Sequence, residues 1–213
     1  MRKFLFIFIA ILAYLVLSSK SCGSDEKDDA AKKEAELAKT KAGIKNEFES
    51  DDLSKKSLKA FEVKAKQKLV DFSDYLGIYS DKMLDESFKS QARQMILDMF
   101  ISDSVRINNL LLNEPEEKNI PISEFLNSDF GSGYNSLAFT FDSIEVARPL
   151  RRIDDLNYQG SLSFSRRLKA CSASDTVFIG PVRLDADIFA SKVYKPFGKD
   201  TLQVWGVFLG EIR

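Results

Sequence analysis

The 213-residue chain contains no histidine, and that absence narrows its chemistry more than any motif it carries. Ser-His-Asp hydrolysis, Cys-His proteolysis and histidine-ligated zinc each need an imidazole as base or ligand, so all three are excluded. Cysteine is nearly as scarce, with Cys22 and Cys171 the two in the chain. A surplus of one charge is missing too. Thirty-one basic against thirty-two acidic residues leave a net charge of −1, and no global field draws nucleic acid. An oxygen-ligand site for calcium stays open, but acidic pairs such as Asp154-Asp155 lack the spaced ligands and glycine of an EF-hand loop, and no residue is assigned to a metal or a cofactor. Nor does any apolar run reach the roughly 20 residues that a helix needs to span a bilayer.

What is present begins with an address. Arg2 and Lys3 precede an apolar run from Phe4 to Leu17, followed by Ser18-Ser19-Lys20-Ser21-Cys22. A run of about 14 residues has the length of a signal-peptide core, so removal is expected rather than spanning. A lipoprotein signal peptide places small residues before a cysteine whose thiol carries diacylglycerol. Ser19 and Ser21 fit that pattern, while Lys20 and the distant Leu17 depart from it. Residues 1–21 are therefore read as a lipoprotein signal peptide and Cys22 as the lipidation site, with soluble secretion and an uncleaved anchor as the alternatives. Lipidated Cys22 would hold the chain on a membrane and leave Cys171 without an intramolecular partner. Cys171 is then expected as a buried structural thiol in a turn between strands.

Residues 22–57 are rich in Ala, Lys, Glu and Asp, and cannot bury enough apolar surface to offset the ordering of their backbone. They read as a charged tether, flexible or partly helical. From Leu58 to Arg213 the pattern is that of one folded domain. Phe61, Ala65, Leu69, Phe72 and Leu76 recur every three or four residues, predicting a helix to about Tyr79. Ser80 or Asp81 then caps a second helix with Leu84, Phe88, Ala92, Met95, Ile96 and Met99 along its stripe. Met83, Met95 and Met99 are expected as gap fillers.

Beyond Phe100 the chain reads as two short strands, near Ser104 to Ile107 and Ile120 to Ile122, and a helical turn over Ser123 to Leu126. Four longer strands follow, at Leu137 to Pro149, Tyr158 to Ala170, Val177 to Tyr194 and Leu202 to Ile212. In the first of these the apolar phase changes between Phe141 and Ile144, which predicts a bulge. Arg148, Arg151, Arg152, Arg166 and Arg167 are expected at the ends and solvent face of a hairpin. Asp185 and Asp187, opposite in phase to Leu184, Ala186 and Ile188, are expected in solvent. The fold class is α+β: two N-terminal helices packed on a curved, mostly antiparallel meander.

This order of elements resembles the nuclear transport factor 2-like fold. The resemblance is carried by Gln91 to Ile107 (QARQMILDMFISDSVRI), Ile120 to Leu126 (IPISEFL) and Leu202 to Ile212 (LQVWGVFLGEI). It implies a cone whose open end can hold a small ligand. Ser24-Asp25-Glu26 resembles the acidic export signal that follows the lipidated cysteine in surface lipoproteins of Bacteroidetes-type bacteria, although the same residues also read as a solvated linker. Together these imply an envelope lipoprotein, in the outer membrane and exposed at the surface, whose domain binds a small ligand or a protein partner.

No catalytic motif is present, so a non-enzymatic binding module is the first expectation. Its partner would be an envelope protein or a second copy meeting the sheet face. Phe139, Phe141, Phe164, Trp205 and Phe208 line the inward face or simply form core. The alternative is an isomerase or dehydratase with a carboxylate base in the cone, for which Asp142, Tyr134, Tyr158 and Trp205 are the candidate pocket residues. A third reading is an accessory subunit of an envelope secretion or gliding machine, which the address fits.

Overall fold

The computed structural model describes residues 52–111, 119–127, 133–197 and 200–213. The signal peptide, Cys22, Ser24, Asp25, Glu26 and nearly all of the tether lie outside the described residues. The first helix, α1 (Lys55–Ser80), begins three residues before the periodicity predicts. Its start is set by Ser54, whose hydroxyl accepts the Ser57 N–H at 3.1 Å and so satisfies an otherwise unpaired first-turn donor. The predicted stripe holds: Ala65, Leu69, Phe72 and Leu76 are fully buried, and Phe61 packs at their margin. Each large side chain so buried contributes about 1.5–3 kcal/mol.

The second helix, α2 (Glu86–Leu97), starts later than expected, with Asp85 at its N-cap position. Ser80 and Asp81 serve α1 instead. Asp81 is its C-cap and accepts the Met83 N–H at 2.8 Å. The Ser80 hydroxyl donates to the carbonyl oxygens of Gly77 and Leu137 and accepts the Leu137 N–H. The stripe of α2 is covered from Ala92 onward, where Ala92, Ile96 and Met99 are buried. Its first turn remains open, so Phe88 is 56% exposed; Met83, ahead of the helix, is 86% exposed, and Met95, at the edge of the covered stripe, is exposed as well. Of the three expected gap fillers only Met99 fills a gap.

The four long strands form the predicted antiparallel meander: β3 (Ser136–Arg152), β4 (Asn157–Cys171), β5 (Thr176–Phe197) and β6 (Asp200–Ile212). Two short strands, β1 (Arg106–Ile107) and β2 (Ile120–Pro121), extend the sheet beyond β6, and the short helix α3 (Ile122–Asn127) follows β2. The sheet order is β2-β1-β6-β5-β4-β3. Because β1 lies parallel to β6, pairing Ile107 with Ile212, the sheet is mixed rather than wholly antiparallel. The expected bulge is present, with the register to β4 slipping between Asp142 and Glu145 and Ser143 in the left-handed region at φ 51°.

α1 lies against the inner face of the sheet. There Phe72 meets Phe100 and Phe141, and Phe141 meets Phe164, at ring centroid separations of 5.2, 5.7 and 4.9 Å. This interior is packed with side chains. Two charged residues depart from expectation. Arg166 is 1% exposed because it shares the strand phase of Leu162, Phe164, Leu168 and Ala170, and that phase faces inward. Asp187 is on the outer face as predicted, yet 7% exposed. Two guanidinium groups cover it: Arg148 at 3.1 Å, itself bonded to Ser161, and Arg213. Asp185 remains in solvent. Cys171 is the last residue of β4 rather than part of a turn, and it is half-buried.

Candidate binding site

Along α1, Lys64 and Lys68 are one turn apart beside the buried Ala65 and Leu69, so their ammonium groups emerge at the margin of the core. β6 runs past this margin. The turn after α2 is fastened to it through main-chain bonds from Ile101 N–H to the Leu209 oxygen (3.0 Å) and from Leu209 N–H to the Met99 oxygen (2.8 Å). Between helix, turn and strand lies an open cleft of about 620 Å³, into which Lys195 also reaches from β5. Three cations thus surround a floor made by Trp205, Val207 and Phe208, with Asp98 and Asp103 toward the turn.

The floor is positioned by glycine chemistry. A Cβ at Gly206 would come within 2.8 Å of the Phe208 ring, so only glycine there lets that ring lie along the strand. The Lys68 ammonium is 5.7 Å from the centroid of the same ring, and Lys192 is 5.4 Å from that of Trp205. Burial lowers the Lys68 ammonium below its ordinary value of 10.5. Lys64 and then Lys195 lower it further, while Asp71 and Asp98 oppose the shift. Crowded cations over an apolar floor form a site that an anion would relieve.

The residues singled out from sequence do not form one pocket. Tyr158 and Trp205 do meet, edge to face at 5.5 Å. The Tyr158 hydroxyl is engaged with the entry to α1, accepting the Leu53 N–H at 3.1 Å and donating to Asp52 at 3.4 Å. Trp205 is buried on the inner face and also lines the cleft. Asp142 is beside the β3 bulge on the outer face, where it accepts from Arg167 and from the Ser143 hydroxyl. Tyr134 packs on the core near Cys171, at the opposite end of the β3–β4 hairpin from Tyr158. Phe139, Phe141 and Phe164 are core.

Lys64, Lys68 and Lys195 were not legible as a site. The spacing of the first two is visible in the sequence, but their meeting with Lys195 depends on how β5 and β6 pass the helix. The sequence matches no family model and no curated protein. Among solved structures, a scytalone dehydratase-like protein from Novosphingobium aromaticivorans is similar at TM-score 0.37 and 6% identity, covering 73% of this chain and 85% of that one. A periplasmic fragment of TraM is similar at 0.38 and 13%, covering 69% and 94%. The Kfla4162 protein from Kribbella flavida is similar at 0.34 and 11%, covering 75% and 95%. Scores this low decide neither a fold family nor a chemistry.

Proposed function

We propose that this chain is an envelope lipoprotein, anchored through Cys22 and exported by Ser24, Asp25 and Glu26, whose nuclear transport factor 2-like domain is a non-enzymatic binding module for an anionic partner. The order of helices and strands supports the fold family. The observation that carries the binding reading is the convergence of Lys64, Lys68 and Lys195 on a cleft floored by Trp205, Val207 and Phe208. Cations fix an anionic head, and the aromatic floor accepts an apolar body. The isomerase alternative needs a carboxylate in an apolar cavity, and the position of Asp142, paired with Arg167 on the outer face, lends it no support. The machine-subunit reading is one form of the binding reading.

A naphthalene sulfonate titrated into the full chain tests the site. Affinity should fall about tenfold or more in Lys68→Met and again in Lys64→Met, as expected for lost charge-assisted contacts. Undiminished affinity in the double variant would remove the cleft as the site. The anchor is tested separately by Cys22→Ala, which should release the chain from membranes. Replacing Ser24, Asp25 and Glu26 with alanine should abolish protease access on intact cells.

A further inference from the structure

Resting on the reading of the cleft as an anion site, we propose that Lys68 is a covalent attachment point, whose amine captures the aldehyde or ketone of an anionic small molecule and holds it as an imine. The three lysines of the cleft are not alike. Lys64 and Lys195 are exposed, whereas Lys68 is half-buried beside the fully buried Leu69. Two ammonium groups can therefore meet an anion from solvent, while the third is held at the aromatic floor, 5.7 Å from the centroid of the Phe208 ring.

A lysine drawn in this far ordinarily has a carboxylate beside it. Among the described residues, no carboxylate forms an ion pair with Lys68. The two that face it, Asp71 and Asp98, are each engaged by a glutamine one turn earlier: Gln67 donates to Asp71 at 2.8 Å and Gln94 to Asp98 at 2.8 Å. Burial first, and then Lys64 and Lys195, disfavour the charge on Lys68 more than these carboxylates restore it. A larger share of Lys68 is thus free amine than in an exposed lysine, and the free amine is the nucleophile.

In the capture step the Lys68 Nζ lone pair forms a bond to the carbonyl carbon while the C=O π pair moves onto oxygen. The nitrogen passes one proton to that oxygen, and a second proton, from solvent, releases it as water. A protonated imine remains, and hydrolysis reverses the step. No oxidant or reductant is consumed. The imine keeps one positive charge near the Phe208 ring, so the contact that held the ammonium is retained. Lys64 and Lys195 remain for the anionic group. The ligand class follows: a carbonyl and an acidic group at separate points of one molecule, joined by an apolar or aromatic body that rests on Trp205, Val207 and Phe208.

Two probes of equal charge separate capture from binding: para-formylbenzenesulfonate, which can form the imine, and para-toluenesulfonate, which cannot. The full chain in detergent should bind the aldehyde about tenfold or more tightly than the toluene compound. Lys68→Arg, which keeps the charge, should bind the two alike. Trapping with cyanoborohydride and peptide mapping should label Lys68 faster than any other lysine, and para-toluenesulfonate should slow that labelling. Equal affinity of the parent chain for the two probes, or a label no faster at Lys68 than elsewhere, would overturn the capture inference and leave the cleft as a plain anion site. Failure of both sulfonates to bind, or labelling of Lys68 as fast by uncharged benzaldehyde, would overturn the anion-site reading beneath it.

Discussion

Two long strands of the sheet, β3 at its outer margin and β6 toward the other side, are built on opposite principles. β3 is a long outer strand, and nearly every feature of it obstructs pairing. Its register to β4 slips three times, between Asp142 and Glu145, Val146 and Arg148, and Arg148 and Arg151. It carries Pro149 and three arginines in its second half, and its main chain is partly occupied by helix side chains. Ser80 holds both polar groups of Leu137, and the Glu62 carboxylate accepts the Leu150 N–H at 3.0 Å. From Thr201 to Leu209 β6 is uncharged, keeps an unbroken register to β5, and is buried at Trp205 and Val207. The β3 margin is guarded by irregularity and charge, and the plain stretch of β6 by being buried at Trp205 and Val207.

The largest expected effect comes from loosening the guarded margin from behind. Phe141 packs against Phe72, Phe139 and Phe164, so Phe141→Ala leaves a cavity that should cost about 3–5 kcal/mol in denaturant unfolding. That is a large share of a typical domain's stability. Amide exchange should accelerate over residues 137–141 more than over 204–208. Equal acceleration at both margins would mean that they are not independent.

A smaller effect is expected where β3 folds over β4. Added at Gly160, a Cβ would be 2.6 Å from the Arg148 oxygen and 3.0 Å from the Leu150 nitrogen, both backbone atoms that have little room to yield. Gly160→Ala should therefore cost about 1–3 kcal/mol. It should also displace the bulged turns that keep β3 from pairing, so self-association should rise in sedimentation. A variant as stable and as monomeric as the parent would show that Gly160 does not hold the bulge in place.

Local patterns were legible in the sequence to the extent that period and burial agree. The stripe of α1, the four long strands and the β3 bulge follow from apolar spacing, because those residues face a core that spans their whole length. Phe88 shows the limit: its spacing is that of a buried residue, but the first turn of α2 has nothing over it. Arg166 shows the converse, since its phase is inward in the sequence and only its charge argued for solvent. Asp187 was misread for a third reason. Its cover comes from Arg148 and Arg213, which lie far from it in the chain. The cleft was invisible for the same cause, being assembled from α1, the 97–103 turn, β5 and β6. The parallel pairing of β1 with β6 likewise depends on a long-range closure that two-residue strands do not announce.

The smallest structural change should give the sharpest test of the β6 margin. Lys68 faces Lys64 and Asp71 on its own helix, Asp98 after α2 and Lys195 on β5, and burial is the main cause of its lowered pKa. A lysine depressed in the folded chain makes folding less favourable below its folded pKa, and that penalty is relieved as pH rises from the folded value toward 10.5. Lys68→Met should consequently change stability little at neutral pH, or raise it slightly, while weakening anion binding. An anion in the cleft stabilises the protonated ammonium, so binding should take up a proton as pH rises past the depressed pKa, and affinity should fall there. Calorimetry in buffers of different ionisation enthalpy measures the uptake directly. It should be present in the parent chain and vanish in Lys68→Met. Uptake that persists in the variant would assign the titration to another group and separate Lys68 from the anion.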